Sequence, residues 1–376
     1  MTTSRLVNKY SDVAVFYSED EFDQVKMDAG SGMFFLPAVQ DLKFGFDSNT
    51  KKDQSIGSSK INFTRPNRAP DVSLDISILE NFETIFEDVF TGGNLADDLD
   101  NGRNFYFLIS DDDERVALSS YKSSISIGNC FLDSLNISQS LEGIITSDYS
   151  YVGSNIISQE FSGVADNKYL SSSGLAPSVN LSGDQEETRF FLFSGIDDEI
   201  LSSNYYGEFV PGCKTFVKVS GIGTDTCFLI KPNNMQSFSL DLKLNRKRID
   251  SVSKYFPLAR KVTPPLLGNI SFENKFSDIE TGDSLINFLK NPEEYHISIS
   301  GEKTNGKSFL IDISKAFLQS KNINGSISSN LSESANFAFD LKDMGILTTL
   351  TSINLWNQNN GTIWDINDFI WDTIND

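Results

Sequence analysis

Cys130-Phe131-Leu132-Asp133-Ser134-Leu135-Asn136-Ile137 returns later in the chain as Ala316-Phe317-Leu318-Gln319-Ser320-Lys321-Asn322-Ile323, with five of eight positions identical. A repeat of this kind marks two copies of one supersecondary or domain-sized unit. The order of features around it repeats as well. Pro37 and Gln40 precede an alternating strand through Leu42, Phe44 and Phe46; Pro232 and Gln236 precede Phe238, Leu240, Leu242 and Leu244. Each copy then has a long polar, basic, proline-containing stretch and a second alternating strand (Leu74/Ile76/Ile78; Ile270/Phe272). A helical segment and a strand at Tyr106 or Tyr295 follow, and a third strand runs into the octapeptide. The offset drifts only from 196 (Gln40 to Gln236) to 186 (Phe131 to Phe317).

The period-two alternation and the 30 phenylalanines among 376 residues predict a mainly β protein. The expected fold is two tandem β-sandwich or barrel domains, each with one flanking α-helix and a long hairpin loop. The expected boundaries are residues 1–160 for the first domain and 161–189 for a Ser/Gly-rich linker or surface loop. Residues 190–344 form the second domain and 345–376 a C-terminal tail. The first helix is expected over Leu79 to Phe90, where Phe82, Ile85, Phe86, Val89 and Phe90 share a face and Glu80, Glu83, Glu87 and Asp88 take the other. Its counterpart is expected over Asp283 to Leu289.

Net charge is −21, which opposes binding to nucleic-acid phosphates and to anionic membranes. It suits either plain solubility or a surface that stays near DNA without holding it. The three cysteines, Cys130, Cys213 and Cys227, do not form a disulfide framework, and no secretory signal or membrane span is expected.

The sequence offers little chemistry. Its one histidine, His296, sits in a strand, so a catalytic triad or a His-rich metal site is poorly supported, and an exposed or satisfied strand residue is expected. No P-loop, nucleophile elbow or dinucleotide fingerprint occurs. Asp97-Asp98-Leu99-Asp100 and Asp111-Asp112-Asp113-Glu114 lack calcium-loop spacing. No enzyme activity, catalytic residue, metal or cofactor is expected.

Basic residues cluster where each copy has its long loop. Lys243, Arg246, Lys247, Arg248, Lys254, Arg260 and Lys261 crowd the second; Lys43, Lys51, Lys52, Lys60, Arg65 and Arg68 occupy the first. A solvated hairpin, a nucleic-acid contact and a contact with the acidic body of a neighbouring subunit are the alternatives, and charge complementarity favours the last. Trp356, Trp364 and Trp371 all lie in the tail, which either packs on its own domain or docks on a neighbour.

The stretch Phe228-Leu229-Ile230-Lys231-Pro232, followed by Met235-Gln236-Ser237-Phe238, Leu244-Asn245-Arg246-Lys247 and Tyr255-Phe256-Pro257-Leu258-Ala259-Arg260-Lys261, resembles tail proteins of tailed bacteriophages. So does Ile127-Gly128-Asn129-Cys130-Phe131-Leu132 with Ile137-Ser138-Gln139-Ser140. The resemblance spans about 33–157 and 220–343. It implies a tail tube protein with two fused tube domains, three chains making a pseudo-sixfold ring. Rings would stack into the DNA conduit of a virion assembled in the host cytoplasm, and DNA would pass without specific binding. It also implies contacts with tape-measure, baseplate or sheath proteins. The basic residues Lys51, Lys52, Arg65, Arg68, Arg246, Lys247, Arg248, Lys254, Arg260 and Lys261 would join rings or subunits. A baseplate hub, tube initiator or distal tail protein of the same fold is one alternative, and a glycan-binding or glycan-degrading tail protein another. The segment 158–189 and the tryptophan tail depart from the family pattern.

Overall fold

The computed structural model describes residues 13–19, 33–36, 38–47, 50–53, 63–66, 71–80, 90–91, 94–95, 102–110, 121–140, 143–160, 215–222, 227–230, 235–250, 257, 259–275, 294–302, 307–326 and 329–351. The first half contains β1 (Val13–Glu19), β2 (Met33–Phe35), β3 (Val39–Asp47), β4 (Thr50–Asp53), β5 (Phe63–Pro66), β6 (Asp71–Leu79), β7 (Phe90–Thr91), β8 (Asn94–Leu95), β9 (Arg103–Ser110), β10 (Tyr121–Ser140), β11 (Thr146–Gly153) and β12 (Asn155–Glu160). The second half contains β13 (Thr215–Gly221), β14 (Cys227–Ile230), β15 (Met235–Lys243), β16 (Arg246–Ile249), β17 (Ala259–Val262), β18 (Leu267–Lys275), β19 (Tyr295–Glu302), β20 (Lys307–Ser326), β21 (Ser329–Asp340) and β22 (Met344–Thr351).

The protein is mainly β, as the alternating pattern predicts. The same antiparallel pairing scheme occurs in both halves. In the first, β2 pairs β1, β1 pairs β9, β9 pairs β10, and β10 pairs β12 and β11; β11 then pairs β6, and β6 pairs β3. In the second, β14 pairs β13, β13 pairs β19, β19 pairs β20, and β20 pairs β22 and β21; β21 then pairs β18, and β18 pairs β15. The small hairpins β4–β5 and β16–β17 also correspond.

The repeated octapeptide lies where the longest strand changes partners. The first half of β10 pairs β9 and β12, and its second half pairs β11, with register shifts between Ile127 and Cys130 and between Leu132 and Ser134. β20 does the same, with shifts at Tyr295/Ile297 and Leu318/Ser320. Such bulges bend a strand. Each long strand thus belongs to two layers, and its bend sets how they face one another. Between the layers Phe105 of β9 meets Tyr151 of β11 at 4.7 Å between ring centroids. In the second copy Tyr295 of β19 meets Phe337 of β21 at 5.3 Å, edge to face. Alternation places Val72, Leu74, Ile76 and Ile78 of β6 in the core and leaves Ser73 and Asp75 exposed.

Several expectations meet the structure differently. Leu79 ends β6 and Phe90 begins β7, so neither end of the first expected helix is helical; residues 81–89 between them and the expected helix over Asp283–Leu289 lie outside the described residues. Glu80, expected on that helix's solvent face, is buried and accepts a hydrogen bond from the Tyr149 hydroxyl at 2.9 Å. Residues 345–351 belong to β22, which pairs β20 as β12 pairs β10. The linker 161–189 and the tryptophan tail lie outside the described residues.

Candidate assembly surface

The two copies join edge to edge. The second half of β10 pairs β15 antiparallel, from Ser134↔Lys243 to Ser140↔Ser237. The seam continues one step further through Leu244 N donating to Asp133 O at 2.9 Å. This pairing fuses the front layers into one run of eight strands, β3-β6-β11-β10-β15-β18-β21-β20. One side of the seam is apolar: Leu240 and Leu242 of β15 and Leu135 and Ile137 of β10 are buried. On the other side Asn136 Nδ2 donates to Ser239 Oγ at 2.9 Å and to Asp241 Oδ1.

The β16–β17 hairpin closes over this seam on its polar side. Arg246 Nε donates to Leu132 O, and its guanidinium stands 5.4 Å over the Phe131 ring. Arg248 pairs with Asp71 at 2.6 Å, Arg260 pairs with the same carboxylate, and Arg260 also donates to Gly153 O at 3.3 Å. Both guanidiniums are nearly buried. Burying a cation is costly unless it is paired and hydrogen-bonded, so this hairpin is fixed in place on the first copy. Asn245 takes a positive φ of 45° at the turn into the hairpin, a conformation that asparagine tolerates better than most residues.

The corresponding edges at the two ends of the eight-strand run are open. β3 is the terminal strand, and among the described residues nothing pairs its outer edge. The second half of β20 pairs β21 on one side, and no described strand pairs the other. Partly exposed apolar residues mark both places, among them Phe44, which stacks on Phe107 at 5.8 Å between ring centroids. Phe44 and Phe46, which correspond to the buried Leu240 and Leu242, are 41% and 67% exposed. Phe317 is 47% exposed, whereas its counterpart Phe131 is buried under the arginine hairpin. Leu267, at the position of Asp71, is 49% exposed.

The outward face of the eight-strand run is polar and carries more acidic than basic groups. Asp41, Asp75, Asp148, Asp241 and Glu273 share it with Lys43, Lys243 and Lys275, among serines and asparagines. Lys43 and Asp41 pair at 2.5 Å. Hydrogen bonding to Asp41 holds the Lys43 ammonium above its ordinary value, and Asp75 and Asp148 add to the effect. Ser150 donates to Asp75 at 2.7 Å, and Asn336 Nδ2 donates to Ser320 Oγ at 2.8 Å.

Of the expected contact residues, Arg246, Arg248 and Arg260 are engaged within the chain, on the first copy. Lys247 and Lys261 are exposed. Lys51, Lys52 and Arg65 lie on β4 and β5, with their side chains outside the described residues. Arg68, Lys254, Trp356, Trp364 and Trp371 lie outside them altogether. His296 pairs with Asp312 at 2.7 Å. Among the described residues no group of three or more His, Cys, Asp or Glu side chains could hold a metal ion, and no helix is long and apolar enough to cross a membrane. The open edges at Phe44, Phe46, Leu267 and Phe317 were not legible in advance. Their signal was the alignment of the two copies, in which Asp71 meets Leu267.

No protein-family model matches the chain, and no curated protein matches it. Solved structures do. The chain is similar to the SPP1 tail tube determined by solid-state NMR and cryo-EM (12% identity, 50% of this chain and 100% of that one, TM-score 0.30). It is similar to a chain of the PVC sheath–tube complex of an extracellular contractile injection system (15% identity, 42% and 100%, TM-score 0.28). It is also similar to a chain of the anti-feeding prophage baseplate (13% identity, 36% and 95%, TM-score 0.26). At these TM-scores the likenesses carry no functional argument; the open edges do.

Proposed function

We propose that the chain is a structural subunit of a phage-type tail tube and performs no catalytic step. The observation that supports this is the match between a closed seam inside the chain and its two open halves at the ends of the sheet. β20 of one chain would receive β3 of the next, as β10 receives β15. An uncovered strand edge is an association hazard, and joining edges into a barrel removes it. The contact is heterologous, head to tail, so repeating it gives a ring where the rotation closes. Three chains would supply six similar walls. The polar face, on which acidic groups outnumber lysines, would line the channel and hold DNA phosphates weakly. Rings stacked along the axis would then form the conduit in the virion, with other tail proteins at its ends.

Negative-stain microscopy with native mass measurement of the purified chain tests this. Hollow tubes, with rings of three chains as the unit, are expected. Rings that never stack would favour a hub or initiator of the same fold. Monomers persisting at about 100 µM, where an interface even of micromolar affinity is saturated, would overturn the proposal.

A further inference from the structure

The seam inside the chain and the seam between chains are built from different chemistry at corresponding positions. The two small hairpins align strand by strand, so Thr50, Lys52 and Thr64 of β4–β5 stand where Arg246, Arg248 and Arg260 stand in β16–β17. The surface that receives them differs in the same way. Asp71, which takes Arg248 and Arg260, is replaced by Leu267, and Asp241, which accepts from Asn136, is replaced by Gly45. Phe131 has kept its counterpart in Phe317, but Thr50 holds the position of Arg246, the arginine that covers Phe131.

We infer that Leu267 and Phe317 form an apolar landing site specific for the β4–β5 hairpin of a second copy of this chain. Resting on the tube-subunit reading, this inference gives the seam between chains a register. The pairing Ser134↔Lys243 through Ser140↔Ser237 translates to Ser320↔Asp47 through Ser326↔Asp41. Phe44 and Phe46 of the incoming β3 then occupy the positions that Leu240 and Leu242 fill inside the chain. The mismatch sorts the two hairpins. A β16–β17 hairpin landing at that site would bring Arg248 and Arg260 to Leu267, where Asp71 receives them inside the chain; the neighbouring carboxylate, Asp340, pairs Leu267 across the strands and already accepts from Lys342 N, and buried guanidiniums without a full partner are strongly disfavoured. A β4–β5 hairpin brings Lys52 and Thr64 in place of the two arginines, so it carries one cation there instead of two, on a flexible stem that can keep its charged end in water. The ionic seam therefore belongs inside the chain and the apolar seam between chains, and the two do not exchange.

The full-length chain carrying Ser320→Cys and Asp47→Cys tests this under mild oxidation, with the unsubstituted chain as control. Both positions are exposed, and directly paired antiparallel residues lie within disulfide reach. Linked dimers and trimers are expected, whereas Ser320→Cys with Lys43→Cys, four residues out of register, gives at least tenfold less product. Adding Leu267→Lys, which removes the apolar side chain and faces Lys52 with a like charge, is expected to cut linkage at least tenfold with the circular dichroism spectrum unchanged. Adding Asp71→Asn leaves linkage within about twofold, because it alters only the seam inside the chain. Raising salt from ~0.05 M to ~0.5 M also changes linkage less than about twofold, since apolar contacts are not screened. Rings on grids without linkage in this register would overturn the inference and leave the tube reading standing. Absence of both rings and linkage would overturn both. Linkage indifferent to Leu267→Lys, or falling tenfold with salt, would refute the apolar landing site alone.

Discussion

Tyr149 and Glu80 show how one side chain sets a pH limit on the first copy. The tyrosine is buried and donates to a buried carboxylate at 2.9 Å. Burial, then the Glu80 charge, pushes its hydroxyl well above the ordinary value of 10.0. The native state thus holds a proton that the unfolded chain releases near pH 10.0, and stability from this group is complete below that pH and falls as pH rises above it. Urea midpoints between pH 8 and pH 11 should fall more steeply for the parent chain than for Tyr149→Phe. At neutral pH the substitution should cost about 1–3 kcal/mol, because Glu80 loses a donor. Parallel pH curves for the two chains would dispose of this account. Nothing in the sequence marks the pair: a glutamate after an alternating strand looks like the start of a polar helix face, and only burial against β11 gives it a partner.

At the scale of strand pairs, the two copies keep the scheme and exchange the volumes. Gly153 of β11 stands opposite Val72 of β6, whereas Gly268 of β18 stands opposite Phe339 of β21. The small residue has moved to the other strand. A Cβ on Gly268 would lie 2.3 Å from the Phe339 ring, and one on Gly153 would lie 2.9 Å from Cys130 Sγ. Gly268→Val alone should cost about 1–3 kcal/mol by overpacking, and Phe339→Gly alone about 3–5 kcal/mol through the cavity it leaves. The double substitution copies the first half's arrangement and should cost less than the sum of the two, by at least about 0.5 kcal/mol in urea unfolding. Strict additivity would show that the exchange is not a packing compensation. The alternation of these strands was readable from sequence because period two follows from backbone geometry. The exchange was not, because it depends on which strand lies opposite.

For the whole molecule, the exposed basic groups of the β16–β17 hairpin bear on the stacking proposed above. Lys247 and Lys261 are directly paired in β16–β17 and exposed, while Arg246, Arg248 and Arg260 hold the hairpin down. If this hairpin joins one ring to the next through the acidic body of its neighbour, Lys247→Glu with Lys261→Glu should stop tube growth and leave single rings. The folded chain should keep its thermal midpoint within about 2 °C, as expected for surface changes of under about 0.5 kcal/mol. Tubes of normal length on micrographs of this variant would remove the hairpin from the stacking contact.

Strand content, the internal repeat and the basic hairpins can be read from the order of residues along the chain. These follow from side-chain periodicity and from residue identity repeated at a nearly constant offset, both of which are local properties. Tertiary structure alone decided that the octapeptide is the bend of a strand shared by two layers. It also decided that three arginines of the basic cluster are engaged inside the chain on Asp71, Leu132 and Gly153, and that the phenylalanines of β3 stay partly exposed, Phe44 although it stacks on Phe107. Each of these depends on which strands become neighbours. A phenylalanine at a core-facing position reads the same in sequence whether the next strand comes from its own chain or from another. The eight-strand run, closed in the middle and open at both ends, is what separates the two cases.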